Sequence, residues 1–441
     1  MNLKKHDFFI LLTNLPLIFF FAFSNYALME LYLKITFTVL FLYYLFFKDT
    51  FLTLSFVLVS LPVHSLLKGA YFFYNILPLI MFILLIKILA SNFYIALFKN
   101  RNFKFFFFGS VFYYLLSFFI SGGLYDTNLK ALEFAFSLII IPVLFQNKYL
   151  FKRSLFYFGL FSISLALIFS TTSSRTQIRF EYIDVASITG LNPLIFGISL
   201  LVFIVLYFNE NFILKTNKGF FNIEKFFFIL SIIALLLTTS RTSILALLTI
   251  FLFYYFKNNF LSILKPIIIL FIMFIIFQDS LYTLSSGYAS AFDFMVGRFL
   301  NDDIDFNQYS HDRADMYSLI FNEIQKGNYI FNGILPGGNS TKLYNSISKS
   351  THMIHSLTLK LIVEIGLFLT SIFIFWIFSC IRKALKRDIF LQYAGIIGWL
   401  MITFFTTGLD VLSALVLSIS FIQINNIYEK KTINNSIFSS P

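Results

Sequence analysis

The stretch LLLTTSRTSILALL, residues 235–248, sets one arginine between two apolar runs, and its reading decides the fold. From Phe226 to Phe256 no other residue carries a charge. Two apolar runs flanking a short polar cluster describe two helices joined by a tight turn. The 441-residue chain around them is 59% hydrophobic, with 65 phenylalanines and a mean hydropathy of +0.83. Soluble domains are roughly 45–50% apolar. Apolar windows recur from residue 8 to residue 424. In lipid such spans must satisfy their own backbone hydrogen bonds, so they are helices. The expected fold is an all-α polytopic membrane protein of about 12–14 transmembrane helices, a single membrane domain over residues 1–441.

The spans fall near 7–23, 28–47, 50–67, 76–97, 105–121, 129–146, 154–171, 187–207, 226–239, 243–256, 263–278, 355–379, 389–406 and 409–425. A net charge of +12 raises a nucleic-acid partner. Topology accounts for it better. With the N-terminus inside, inside segments hold 20 basic residues and outside segments nine, and Lys34, Lys87, Lys130 and Lys360 fall within helices. This is the positive-inside distribution, with both termini cytoplasmic and no nucleic acid implied. Ala22-Phe23-Ser24 resembles a signal-peptidase site, but an uncleaved first helix is the expectation for a polytopic chain. The single Cys380 allows no disulfide within one chain.

The two faces differ in kind of charge. Inside, 16 of the 20 basic residues are Lys; outside, five of nine are Arg, namely Arg175, Arg179, Arg241, Arg298 and Arg313. Small numbers and ordinary loop salt bridges give such a count, and so does an external anionic ligand, because the guanidinium fork grips phosphate bidentately. Eight helices precede the one ending at 239, so the turn bearing Arg241 faces outside. From Phe226 to Arg241 is about 16 residues, or ~24 Å, against a hydrocarbon core of about 30 Å. The tip, Thr238 to Ser243, therefore lies below the outer surface. Arg at the centre of a membrane helix costs about 2.5–3.5 kcal/mol on insertion scales. A cation at the floor of an outward-open cavity is the expected role; an arginine that snorkels or ends a helix is the bland one.

Only one loop is long. Residues 279–354 hold eight of the 21 acidic residues. Within the loop, residues 310–327 read as a short amphipathic helix: Tyr317, Ile320, Phe321 and Ile324 follow the i, i+3, i+4, i+7 pattern, Ser310 or Asp312 can cap its start and Gly327 its end. The run NDDID (301–305) lacks an accompanying ligand pattern and reads as a solvated acidic face, with no metal expected. The loop ends in THMIHSLTLKLIVEIGLF (351–368), where His355, Leu359, Ile362 and Gly366 share one helical face. His355 opens that helix at the outer interface. It can serve as a general base or merely cap the helix, with His352 as a competitor.

The pattern His355-Ser356-x-x-Leu359-x-x-Ile362-x-Glu364-x-Gly366 resembles the signature of the O-antigen polymerase and ligase superfamily, with Ser356 where Asn is usual. TTSRTSILAL resembles that family's Ser-Arg segment. TGLNPLIFG (189–197), with Gly190, Asn192 and Pro193, is similar to its Gly-x-Asn-Pro-Asn stretch, with Leu194 for the second Asn. Arg313, the following helix and the turn from Gly333 resemble its Arg-helix-Gly-x-Gly element, with Tyr317 in place of a Trp. The four stand in the family's order over residues 175–380.

The resemblance implies a GT-C-like, metal-independent glycosyltransferase with no cofactor, at the periplasmic face of the bacterial inner membrane. Its substrate would be an undecaprenyl-pyrophosphate-linked oligosaccharide, and a chain-length regulator would be a partner. His355 would be the catalytic base. Arg179, Arg241, Arg313, Arg298 and Arg175 would bind pyrophosphate or glycan. Arg179 and Gly190, ten residues between them, match an Arg-x10-Gly element of the polymerases, whereas Arg298 and Arg313 do not meet the companion Arg-x15-Gly element. The expected function is polymerase, transferring the growing glycan to a lipid-linked repeat unit. The alternatives are a ligase acting on lipid A–core and a polysaccharide flippase or transporter, which would predict inverted repeats.

Overall fold

The computed structural model describes residues 3–23, 28, 31–32, 35–36, 38–64, 82–90, 96–121, 130–172, 193–209, 223–238, 240–258, 321–331, 357–387, 389–405 and 411–421. Among them the regular structure is helical throughout, with no strand. The helices are α1 (Leu3–Ala22), α2 (Thr38–Phe47), α3 (Thr50–His64), α4 (Arg101–Ser121), α5 (Lys130–Leu144), α6 (Lys148–Thr172), α7 (Pro193–Phe208), α8 (Ile223–Leu237), α9 (Arg241–Asn258), α10 (Leu357–Arg387), α11 (Phe390–Phe405) and α12 (Val411–Ile419). Residues 82–90 are also helical, where the sequence predicts 76–97. The expected helix 263–278 lies outside the described residues.

Short polar turns set the antiparallel order. Asp49, Asn100 and Asn147 each stand just before a helix, and each side-chain oxygen accepts an N–H of the first turn: Leu52 at 2.8 Å, Phe103 at 3.2 Å and Leu150 at 3.1 Å. Such a cap is worth about 1 kcal/mol. All three caps lie at the lysine-rich end of the bundle. There α6 begins at Lys148 rather than 154, and α10 runs on to Arg387, so that Arg382, Lys383, Lys386 and Arg387 are helical rather than loop residues. Cations in a last turn face the negative end of the helix dipole.

The same end carries a polar clasp. His6 bonds Tyr44 Oη at 2.6 Å and Ser55 Oγ at 2.9 Å, Ser55 pairs with Ser154 at 2.6 Å, and Asp7 pairs with Arg153. These contacts tie α1 to α2, α3 and α6. Lys87 falls within a helix, 82–90, as the sequence predicts. Its ammonium donates to the carbonyls of Tyr44, Leu45 and Lys48 at 3.2, 2.7 and 2.7 Å, and to Thr53 Oγ1 at 3.0 Å. Its cation thus sits against carbonyls at and just beyond the C-terminal turn of α2, where the helix dipole favours positive charge.

Among the described residues four helices are enclosed along their length, α3 over 52–62, α5 over 134–144, α7 over 196–206 and α12 over 412–419. Each is mainly apolar all round, as a helix without a solvent face must be. The surrounding helices turn large aromatics outward. On α4, Phe105, Phe108, Phe112 and Leu115 are exposed while Phe103, Phe106 and Tyr113 are buried. On α10, Phe368, Phe375 and Phe378 are exposed while Phe373 and Trp376 are buried. Hydroxyls go the other way: Ser110, Ser154, Ser162, Thr370 and Ser418 are buried, each bonded to the carbonyl four residues back at 2.6–2.8 Å. Among the described residues two helical stretches, Tyr149–Ile168 and Ile365–Ala384, are long and apolar enough to cross a bilayer.

Candidate functional site

At the end opposite the lysines, α8 stops at Leu237 and α9 begins at Arg241. The Thr238 hydroxyl donates to the Leu235 carbonyl at 2.7 Å and accepts the Ser240 N–H at 3.3 Å. Ser240 stands just before α9: its carbonyl takes the Ile244 N–H at 3.0 Å, and its hydroxyl donates to Ser243 Oγ at 3.0 Å. Thr238, Ser240 and Ser243 are all buried. Gly197, one turn into α7, closes on this turn. A Cβ at Gly197 would stand 2.5 Å from the Ser240 Cβ and 2.6 Å from Ser243 Oγ, so only hydrogen fits there. The Gly197 end of TGLNPLIFG and the start of TTSRTSILAL, 40 residues apart in sequence, are therefore neighbours, with Pro193 opening α7 and Arg241 opening α9. A cation in the first turn of a helix is opposed by the dipole, an effect of about 0.3–1 kcal/mol. Arg241 stands where a helix favours an anion.

A second assembly joins the long loop to α10. Residues 321–331 form a strap, and its helical turn ends at Gly327 (φ 87°) as the sequence predicts. The Asn328 N–H bonds the Glu323 carbonyl at 2.9 Å and the Gly327 N–H bonds that of Ile324 at 3.0 Å, the two bonds of a Schellman cap. Lys326 and Asn328 donate to the Glu323 carboxylate at 2.8 and 2.6 Å, and these bonds hold it below the usual carboxylate range. This contribution is present at neutral pH and is lost as pH falls through the lowered value. Of the expected apolar stripe, Ile324 packs inward with Tyr329 against Leu359, Ile362, Val363 and Leu367, whereas Phe321 is exposed. Tyr317 and Ile320 lie outside the described residues.

The strap docks where α10 breaks. Gly366 has φ 84° and ψ 161°, which interrupts the helix between 357–365 and the longer segment that follows. A restarting helix leaves its first N–H groups unpaired. Two of them find carbonyls on the strap: Leu367 N–H to Tyr329 O at 2.7 Å, and Phe368 N–H to Ile330 O at 3.0 Å. Tyr113 of α4 donates its hydroxyl to the Phe331 carbonyl, and the Phe331 ring lies 6.0 Å from that of Phe368. The half-helix that follows His355 is thus bent away from the remainder of α10 and held there by the loop. The sequence places Gly366 on one continuous helical face; the bend shows why a glycine stands there, since this φ/ψ region is essentially glycine-only. Gly366→Ala should lower stability by about 1–3 kcal/mol, read as a drop in the thermal midpoint of the purified protein. An unchanged midpoint would show that the bend can straighten without cost.

His355, Arg175, Arg179, Arg298, Arg313, Gly190, Asn192 and Gly333 lie outside the described residues. No family model matches the sequence, and no curated protein or solved structure matches it significantly.

Proposed function

We propose that the chain is a polytopic inner-membrane glycosyltransferase with a GT-C-like architecture. It would act as an O-antigen or surface-polysaccharide polymerase on undecaprenyl-pyrophosphate-linked glycan at the periplasmic face. The observation that carries the reading is the turn at 238–243. It gathers three buried hydroxyls at a helix start bearing Arg241, packed by the Gly197 end of a second motif of the same family resemblance. Outward phenylalanines and inward hydroxyls support a lipid surround, because lipid imposes no penalty on exposed Phe and buried hydroxyls can bond within their own helices.

In the reaction the acceptor sugar hydroxyl attacks the anomeric carbon of the donor as the bond from that carbon to the pyrophosphate oxygen breaks. His355 takes the hydroxyl proton. The external arginines hold the leaving pyrophosphate, whose charge grows as the bond lengthens. A lipopolysaccharide ladder from a deletion strain tests the class. Loss of a polymerase leaves a single repeat unit on lipid A–core. Loss of a ligase leaves none and accumulates long lipid-linked polymer, which would overturn the polymerase assignment. Topology gives a separate check. Reporter fusions at Asn307 and Asn434 should give opposite signals, external and cytoplasmic; equal signals would sink the arrangement.

A further inference from the structure

The strap has two unlike sides. Glu323, Lys326 and Asn328 form a bonded polar cluster, with Lys326 and Asn328 exposed. At the other end Phe331 is 69% exposed, although its carbonyl and ring are both held, by Tyr113 and Phe368. Those two partners belong to helices with matching outward stripes. Phe105, Phe108, Phe112 and Leu115 recur at i, i+3, i+7, i+10 on α4; Phe368, Phe375 and Phe378 recur at i, i+7, i+10 on α10. Each spacing keeps its residues on one helical face. α4 and α10 pack against each other, and Leu369 fills the space beside Gly109. Phe331 therefore sits where the two stripes meet, continuing the aromatic surface beyond the break at Gly366.

We infer that the strap is an interfacial element, with Phe331 seated in the outer leaflet of the bilayer and the Glu323–Asn328 cluster facing water. An amphipathic segment lying in the membrane plane buries its apolar side at the boundary of acyl chains and headgroups. The long loop is then tethered to the membrane at this point rather than suspended above it. Through Leu367 and Phe368 the tether also fixes the bend at Gly366, and so the depth of the half-helix that follows His355. Phe331 is a positioning residue in this arrangement. The inference rests on the membrane reading above and is independent of the transferase reading.

The test uses full-length protein in nanodiscs of phosphatidylethanolamine and phosphatidylglycerol, with single spin labels attached by Phe331→Cys, Phe375→Cys or Lys326→Cys in a Cys380→Ser background. Collisions with oxygen report lipid, and collisions with a water-soluble nickel chelate report water. The label at 331 should favour oxygen, as the label at 375 does, while the label at 326 favours nickel. Nickel access at 331 with oxygen preference retained at 375 overturns the inference alone. Nickel access at both positions overturns the membrane reading and the inference with it. Hydrogen exchange adds a readout of the clamp: Phe331→Ser should speed exchange at the Leu367 and Phe368 amides. Unchanged exchange at those amides refutes the link between anchor and bend.

Discussion

The Arg241→Ala variant should reach the membrane in wild-type amount, unfold at the same temperature or slightly higher, and make no polymer. The stability half of this result follows from the helix start. Ser240 stands just before α9 with its carbonyl and hydroxyl both engaged, and neither bond involves the Arg241 side chain. Removing a cation from the first turn relieves an unfavourable dipole interaction of about 0.3–1 kcal/mol. A residue kept for stability would show the opposite sign. The activity half follows from charge. Losing one preorganised donor to a developing oxyanion typically costs on the order of 10²–10³-fold in rate, enough to empty the upper rungs of a glycan ladder. Arg241→Lys should recover little, since an ammonium keeps the charge but not the planar fork. Thermal unfolding in detergent and the ladder from the same strain read both halves. Full-length chains from the Ala variant would return Arg241 to an incidental place at a helix end.

The turn at 238–240 can be read from sequence because every feature that makes it is local. A polar run interrupts two apolar ones, a serine precedes the restart, and the flanking runs are each too short to cross a bilayer far beyond it. The same holds for Gly327, where a glycine after an amphipathic run marks a Schellman cap, whereas the caps at Asn100 and Asn147 start their helices earlier than the expected 105 and 154. The bend at Gly366 is different. A single glycine within IVEIGLFL leaves the apolar period unbroken, so periodicity reads straight through it. What makes the break tolerable is a pair of carbonyls on a strap, each 38 residues upstream of the N–H it accepts, and a tyrosine hydroxyl 218 residues from its acceptor. Lys87 shows the same limit. Counted along its own helix it is a cation in mid-span; its partners are carbonyls at the end of another helix, 39–43 residues away. The juxtaposition of Gly197 with Ser240 also escapes a local reading, although both segments are visible as motifs. Glycine one turn into an otherwise bulky helix is the signal that a neighbour approaches there, but it does not name the neighbour.

His355→Ala should abolish chain elongation, while His352→Ala and His311→Ala retain most of it. Three features converge on His355: it directly follows the only long loop, it precedes by two residues the half-helix 357–365, and its spacing to Glu364 and Gly366 matches the family signature. The strap gives that placement a physical basis. Leu359, Ile362 and Val363 of that half-helix pack with Ile324 and Tyr329, so the strap fixes the segment that His355 precedes in sequence. Loss of one general base typically costs about 10²–10⁴-fold in rate. The strain should then show lipid A–core carrying a single repeat unit, with the ligation step intact. The His352 and His311 variants control for the loss of any histidine from the same loop. If the Ala variant also lost thermal stability, the Gly366→Ala variant would separate the effects, since it disturbs the bend without removing the imidazole. Normal long chains from His355→Ala would remove this residue from the mechanism and leave the arginine turn to be explained by another base.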